Sequence, residues 1–203
     1  MGVRSIDEHG LGLSWVAADA LYRGCHALAD GGRVWLVEPV DAGDALERAR
    51  ALGDPVAVLQ LYGNHGRDCA AVAQRLGVPH LKVPAALPET PFSVLPLHWG
   101  RLWREVALWW PERTALVVPE SIGTSPLFAV GEGPAGMHPL RRLSPPWSLR
   151  AFLPEHLLVG HGAPLHGGDA GGGLIDALER ARSDIPRVFV RAGSLMRGML
   201  SRR

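Results

Sequence analysis

Residues 55–61, PVAVLQL, form a near-continuous apolar run. A strand wet on one face alternates polar and apolar residues, so this run predicts a strand covered on both faces. Helix signals lie on either side of it. Asp41 or Asp44 is placed to cap a helix through Ala51, with Leu46, Ala49 and Leu52 at helical spacing and Gly53 after its end. Asp68 is placed to cap a second helix over 69–76, closed by Gly77. Residues 33–38 (RVWLVE) are rich in β-formers and stop at Pro39, and 78–83 predict a further short strand. These elements together predict sheet covered by helices, not an open all-β sandwich.

The flanking segments are shorter. Residues 13–20 and 24–29 predict two strands joined by a turn, and Asp30-Gly31-Gly32 marks the next turn. Residues 84–100 are Pro-rich loop with a strand near 92–97. Residues 105–110 (EVALWW) and 114–119 (TALVVP) predict a hairpin turned by Pro111-Glu112-Arg113. Residues 121–150 are irregular, and 157–159 predict a strand running into Gly160-His161-Gly162. Residues 167–173 (GGDAGGG) share composition with a phosphate loop but lack its Lys-Ser/Thr, so a flexible linker is expected there. Residues 174–182 predict an amphipathic helix, and 185–190 extend it or form a strand. The tail over 191–203, with Arg191, Arg197, Arg202 and Arg203, is basic and expected to be solvated.

A chain of 203 residues suits one domain, here 1–203 with a core from about 14 to 190. It is 47% hydrophobic and 20% charged with a net charge of +1, a balance that suits a globular protein and points to no nucleic-acid or membrane partner. The cysteines, Cys25 and Cys69, are too few for a disulfide framework. The first dozen residues lack the apolar run of a signal peptide, and no stretch approaches the roughly 20 apolar residues that span a bilayer. A soluble, cytoplasmic protein is expected.

Three segments where loops leave strands can carry chemistry: 62–69 (YGNHGRDC), 118–123 (VPESIG) and 159–165 (VGHGAPL). With Val37-Glu38-Pro39 ahead of them, their order resembles the metallo-β-lactamase superfamily over residues 14–182. Members of that superfamily have an acidic residue after an early strand. A buried strand then leads to a His-x-His-x-Asp-His loop opening a helix. A lone His, a hairpin ending in Gly-Asp and a late Gly-His-Gly follow. Here "AVLQLYGNHGRDCAAVAQRLGVPH" looks like the metal loop and its helix, "EVALWWPERTALVVPE" like the hairpin, and "LLVGHGAP" like the late His motif. The resemblance implies a four-layer α/β/β/α sandwich in a short form, with a site where the strand-end loops meet.

The metal loop departs from the pattern. With Asp68-Cys69 on the family's Asp-His, Asn64 and Gly66 take the two earlier His positions. A register two residues earlier puts Tyr62, Asn64, Gly66 and Arg67 on the motif. His65 is the only imidazole in the loop and falls on a non-ligand position in both. Pro119-Glu120 replaces Gly-Asp, and the lone His falls near Arg101, with His98 three residues away. Zinc needs imidazole, thiolate or carboxylate donors; glycine offers none, and arginine cannot lose its proton to become one.

The resemblance therefore implies at most one divalent ion, zinc first, with candidate ligands His161, Asp68, Glu120 and His65, or no metal at all. No nucleotide cofactor is expected. Asn64, Arg67 and Cys69 are candidates for ligand binding. Plainer roles stand beside these. Asp68 suits a helix cap, Cys69 a small core residue, Glu120 a partner for one of the arginines, and His161 a turn residue between glycines. Arg67 suits either an anion at the following helix N-terminus or a surface salt bridge. Ser121 and Ser125 lack the Gly-x-Ser-x-Gly elbow of a serine hydrolase. Three functions follow. One is a hydrolase-like protein with a degraded, one-metal site. The second is an inactive relative binding a small molecule or partner. The third is a subunit self-associating as a homo-oligomer through the Trp-rich hairpin.

Overall fold

The computed structural model describes residues 1–190; the basic tail expected over 191–203 lies outside the described residues. Six strands form the first sheet in the order β1 (Val3–His9), β2 (Gly12–Ala17), β3 (Gly24–Asp30), β4 (Arg33–Val37), β5 (Asp54–Gln60) and β6 (His80–Lys82). The first four meander antiparallel; β4, β5 and β6 are parallel. The parallel crossovers carry α1 (Ala45–Arg50) and α2 (Cys69–Leu76). The second sheet is built from β7 (Ser93–Pro96), β8 (Val106–Trp110) and β9 (Ala115–Val118). A short pair, β10 (Ile122–Gly123) and β11 (Gly136–Met137), stands apart. β12 (His156–Val159) and β13 (Leu165–His166) complete the second sheet, in the order β13-β12-β9-β8-β7. α3 (Gly168–Glu179) follows, and residues 185–190 are again helical.

Strand alternation builds the layers. In β4, Val34 and Leu36 face α1 and α2, while Trp35 and Val37 face the second sheet. In β9, Ala115 and Val117 face the first sheet, while Leu116 and Val118 face α3. Both faces of the central strands are thus dry, which is why their sequences do not alternate. The result is the expected α/β/β/α order. Each buried Leu or Val in these stripes contributes about 1.5–3 kcal/mol.

Two expectations need correction. The core does not start near residue 14: β1 pairs along β2, and Val3 and Ile6 pack on the first core. Arg4, Asp7 and Glu8 hide this strand in the sequence, because charges are what an edge strand carries. Residues 167–173 are no flexible linker; the glycine run is the first part of α3. Isolated glycines disfavour helix by about 1 kcal/mol each. Here Gly171 and Gly173 let the helix lie close to its neighbours. A Cβ on Gly173 would stand 3.1 Å from the Pro134 ring and 3.2 Å from Leu165 Cδ1. Tertiary packing overrides propensity at this helix.

Candidate metal centre

Four strand ends converge at one edge of the sandwich. Glu38 follows β4, the 61–68 loop follows β5, Glu120 follows β9, and His161 follows β12. The 61–68 loop curls back on itself: His65 N–H donates to Tyr62 O at 3.3 Å, and Gln60 Nε2 donates to Tyr62 O and His65 O. That curl turns the His65 ring inward. Its Nε2 lies 2.7 Å from Glu120 Oε2, and His161 Nε2 lies 2.9 Å from the same oxygen. His65, Glu120 and His161 offer three donor atoms all within 4.8 Å of one another.

The far sides of both rings are occupied by acceptors. His161 Nδ1 is 2.8 Å from Leu21 O, and a carbonyl only accepts, so Nδ1 carries the hydrogen. The neutral His161 ring then presents a lone pair to Glu120. His65 Nδ1 stands 2.9 Å from Glu38 Oε2, an ion-pair distance without hydrogen-bond geometry. Neutral His65 can therefore place a hydrogen toward only one of its two carboxylates. Burial and the Arg67 charge push the His65 pKa down, and Glu38 and Glu120 push it up further, so it ends above its ordinary value. Burial opposes ionisation of Glu120, but His161 and His65 hold its carboxyl far below the usual range.

Deeper residues position these donors. Glu38 adopts a left-handed conformation (φ 52°), and its Oε1 accepts from the N–H groups of Leu61 and Tyr62 at 2.8 and 3.0 Å. Burial opposes its charge, yet His65 and Arg67 keep its carboxyl below the ordinary range. Glu105, fully buried, accepts from the N–H groups of Glu120 and Ser121, from Trp103 Nε1 and from the Ser121 hydroxyl. It fixes the turn that carries Glu120, while burial raises its own pKa. His138 stands 3.4 Å from Glu120 Oε1. Its Nδ1 accepts from Leu140 N–H, so a neutral His138 ring turns Nε2–H toward that carboxylate. Burial keeps the His138 pKa low.

A cavity of about 600 Å³ opens over these donors. Leu21, Leu127 and Phe128 give it apolar walls, with Tyr62, Asn64 and His138 at polar points. The Phe128 ring stacks on His161 at 5.1 Å, which fixes the imidazole plane. Gly160 is required by a close approach: a Cβ there would lie 1.9 Å from Pro119 O. Gly160→Ala is expected to destabilise the fold by about 1–3 kcal/mol. Thermal denaturation checks this, and an unchanged melting temperature would mean that the turn shifts freely.

No family model matches the sequence, and no curated protein matches it. The structure does have solved relatives in shape. The DIM-1 metallo-β-lactamase superposes with a TM-score of 0.58 at 13% identity, over 90% of this chain and 96% of that one. A metallo-β-lactamase from Hirschia baltica gives 0.61 at 10% identity, over 89% and 98%. The chain has the metallo-β-lactamase fold. A third structure, of a protein in a di-iron-bound form, gives 0.52 at 18% identity, over 74% and 93%.

Within this metallo-β-lactamase fold, the structure sorts the residues singled out in the sequence. It brings His161, Glu120 and His65 together; among the described residues, Glu120 pairs with histidines and not with an arginine. Asp68 is the exception among the metal candidates. Its Oδ2 accepts from Asp41 N–H at 2.9 Å, facing away from the site. It occupies the cap position of α2, but its side chain makes no capping bond there. Asn64 lines the cavity, and its Nδ2 donates to Leu102 O at 3.1 Å. Cys69, the first residue of α2, is buried in the core and not at the cavity, and burial pushes its thiol well up. His98 lies outside the donor cluster, its Nδ1 accepting from Glu105 N–H.

Arg67 lines the cavity but, among the described residues, forms no surface salt bridge. Its buried guanidinium donates to Gly24 O at 2.5 Å, Gly160 O at 2.6 Å and Glu38 O at 3.2 Å. Its Nε lies 3.4 Å from Glu38 Oε2. A fixed cation thus ties β3, β4 and β12 together beside the donors. Sequence reasoning missed Glu105 and His138. An acidic residue against the apolar run VALWW was a signal for Glu105; His138 sits in an irregular segment with none.

Proposed function

We propose that this chain is a hydrolase-like protein with a single divalent-metal site formed by His65 Nε2, Glu120 Oε2 and His161 Nε2. One observation carries the reading. His161 Nδ1 faces the Leu21 carbonyl, so in the neutral tautomer with its hydrogen on Nδ1 the ring turns its Nε2 lone pair toward the Glu120 carboxylate. A cation satisfies that arrangement. Two imidazoles and one carboxylate are a familiar three-ligand set, and the backing of each ring by an acceptor is what orients metal-binding histidines.

In such a setting a bound ion supplies Lewis acidity toward water or a carbonyl oxygen. The protein's own residues do the rest. Leu21, Leu127 and Phe128 keep water from the cavity walls. Asn64 and the Tyr62 hydroxyl offer polar contacts to a bound molecule. His138 Nε2 stands beside Glu120 Oε1 at 3.4 Å. Arg67 puts a permanent charge where a second ion would compete, which supports one metal in place of two.

A proton can also satisfy the cluster. The raised pKa of His65, between two carboxylates, favours an imidazolium there and with it a metal-free, small-molecule-binding protein. Self-association through the hairpin draws less support, since Trp110 is buried between the sheets and Trp109 packs on Phe152.

Metal analysis of protein purified without chelator separates the first two. About one equivalent of zinc, manganese or iron is expected, lost in His161→Ala. Metal-free wild-type protein that also takes up no added zinc would overturn the metal reading in favour of the imidazolium.

A further inference from the structure

A second group of histidines lies where the β1–β2 hairpin meets the edge of the second sheet. β13 is an edge strand, and His156 and His166 are directly paired across β12 and β13. Their Nδ1 atoms are 2.6 Å apart. Asp7, from β1, brings Oδ2 within 3.0 Å of His166 Nε2. A carboxylate accepts, so neutral His166 carries its hydrogen on Nε2 and turns a lone pair toward His156. Two imidazole nitrogens converge, and one ring is backed by a carboxylate.

The neighbours do not compete for the spot. The His9 ring packs 5.0 Å from His166, but its Nε2 bonds to Ser14 and its Nδ1 accepts from Leu11 N–H. Burial and the His166 ring lower the His156 pKa. In one tautomer neutral His156 donates Nδ1–H to the His166 lone pair, and in the other it turns an Nδ1 lone pair to the same spot, which an ion would take up in place of that proton. The side chain of His166 is 30% exposed, so an ion can reach it.

We propose that His156 and His166 form a second binding site for a divalent transition-metal ion, oriented by Asp7. Two nitrogen donors without a thiolate suit copper(II), nickel or zinc; calcium and magnesium prefer oxygen cages. His156 starts β12 and His161 follows its end, five residues or on the order of 16 Å away along extended chain. One ion therefore cannot serve both places, and this site stands whether or not the central cluster holds metal. An ion here would fasten the two-residue edge strand β13 to β12.

The test is a copper(II) titration of the chelator-treated full chain, followed by calorimetry and electron paramagnetic resonance. Wild type, H166A, H156Q, D7N and H161A are compared, with circular dichroism as the control for folding. H166A and H156Q are each expected to lose about one equivalent that H161A retains, and D7N to weaken that equivalent about tenfold. H156Q keeps a polar side chain of similar reach on the half-buried strand end, so it reports even where H166A folds poorly. Wild-type copper stoichiometry and affinity in folded H156Q would overturn the proposal, as would a wild type whose only copper is the equivalent lost in H161A.

Discussion

Arg67→Met is expected to lower stability by about 3–5 kcal/mol, the usual effect of removing one member of a buried ion pair. The side chain is 1% exposed, and methionine fills much of its volume without its charge. Three carbonyl oxygens, of Gly24, Glu38 and Gly160, lose their donor together. The Glu38 carboxylate also loses the cation at 3.4 Å while still holding the Leu61 and Tyr62 amides. Lysine restores the charge but not the fork that reaches several carbonyls at once, so Arg67→Lys is expected to recover only part. Urea unfolding of the three proteins measures the effect. In a chain this long it corresponds to a fall in melting temperature on the order of 10 °C. Arg67→Met within about 1 kcal/mol of wild type would mean that the guanidinium is not the tie described here.

Acid is expected to begin destabilising this protein well before its carboxylates titrate. His26 is buried with a pKa pushed down to about 3, by burial first and then by His9. His9 is pushed down to about 4, by burial first and then by His166. Their hydrogen bonds form a chain. Ser14 donates to His26 Nδ1, whose Nε2–H donates to Val159 O, and His9 Nε2 bonds to the Ser14 oxygen. Protonating His26 breaks that chain. The unfolded chain takes up protons near pH 6.5 while the folded chain refuses them. Stability is therefore complete above about pH 6.5 and is lost as pH falls toward about 4 for His9 and about 3 for His26. His26 contributes a slope of about 1.4 kcal/mol per pH unit. His9, partly open to water, contributes less. Unfolding free energies at pH 7.5 and 5.0 give the test, and His26→Gln should flatten the slope by about one proton. A wild type equally stable at both values would rule the mechanism out.

Much of the frame was legible locally. The runs RVWLV and PVAVLQ, with α1 and α2 at helical spacing after each, give a parallel unit with little ambiguity. Gly77 in a left-handed conformation closes α2 as its position implied. The hairpin over β8 and β9 was also readable, although its turn is a 3-10 turn over Pro111–Arg113 with Thr114 left-handed. Elements that lack local signals were not legible. β1 carries the charges of an edge, and the start of α3 is a glycine run that only its neighbours make helical.

The candidate site divides in the same way. Glu120 and His161 follow strands that announce themselves, so their nearness to a strand-end site was readable from the sequence. His65 was harder. Both registers of the loop motif put it at a non-ligand position, because a motif counts residues along an extended frame. The bonds from Gln60 curl the loop, and direction then depends on the turn and not on the count.

The sequence by itself determined that a strand dry on both faces is flanked by helices, and that a loop poor in histidine leads into α2. It also determined that a late histidine stands between glycines. Periodicity and turn chemistry act over a few residues, so a single sequence carries them in full. Tertiary structure alone decided that His65, and not Asp68, joins Glu120 and His161. It also decided that Arg67 is an internal cation, since both facts depend on atoms that segments far apart in the chain bring within 4 Å.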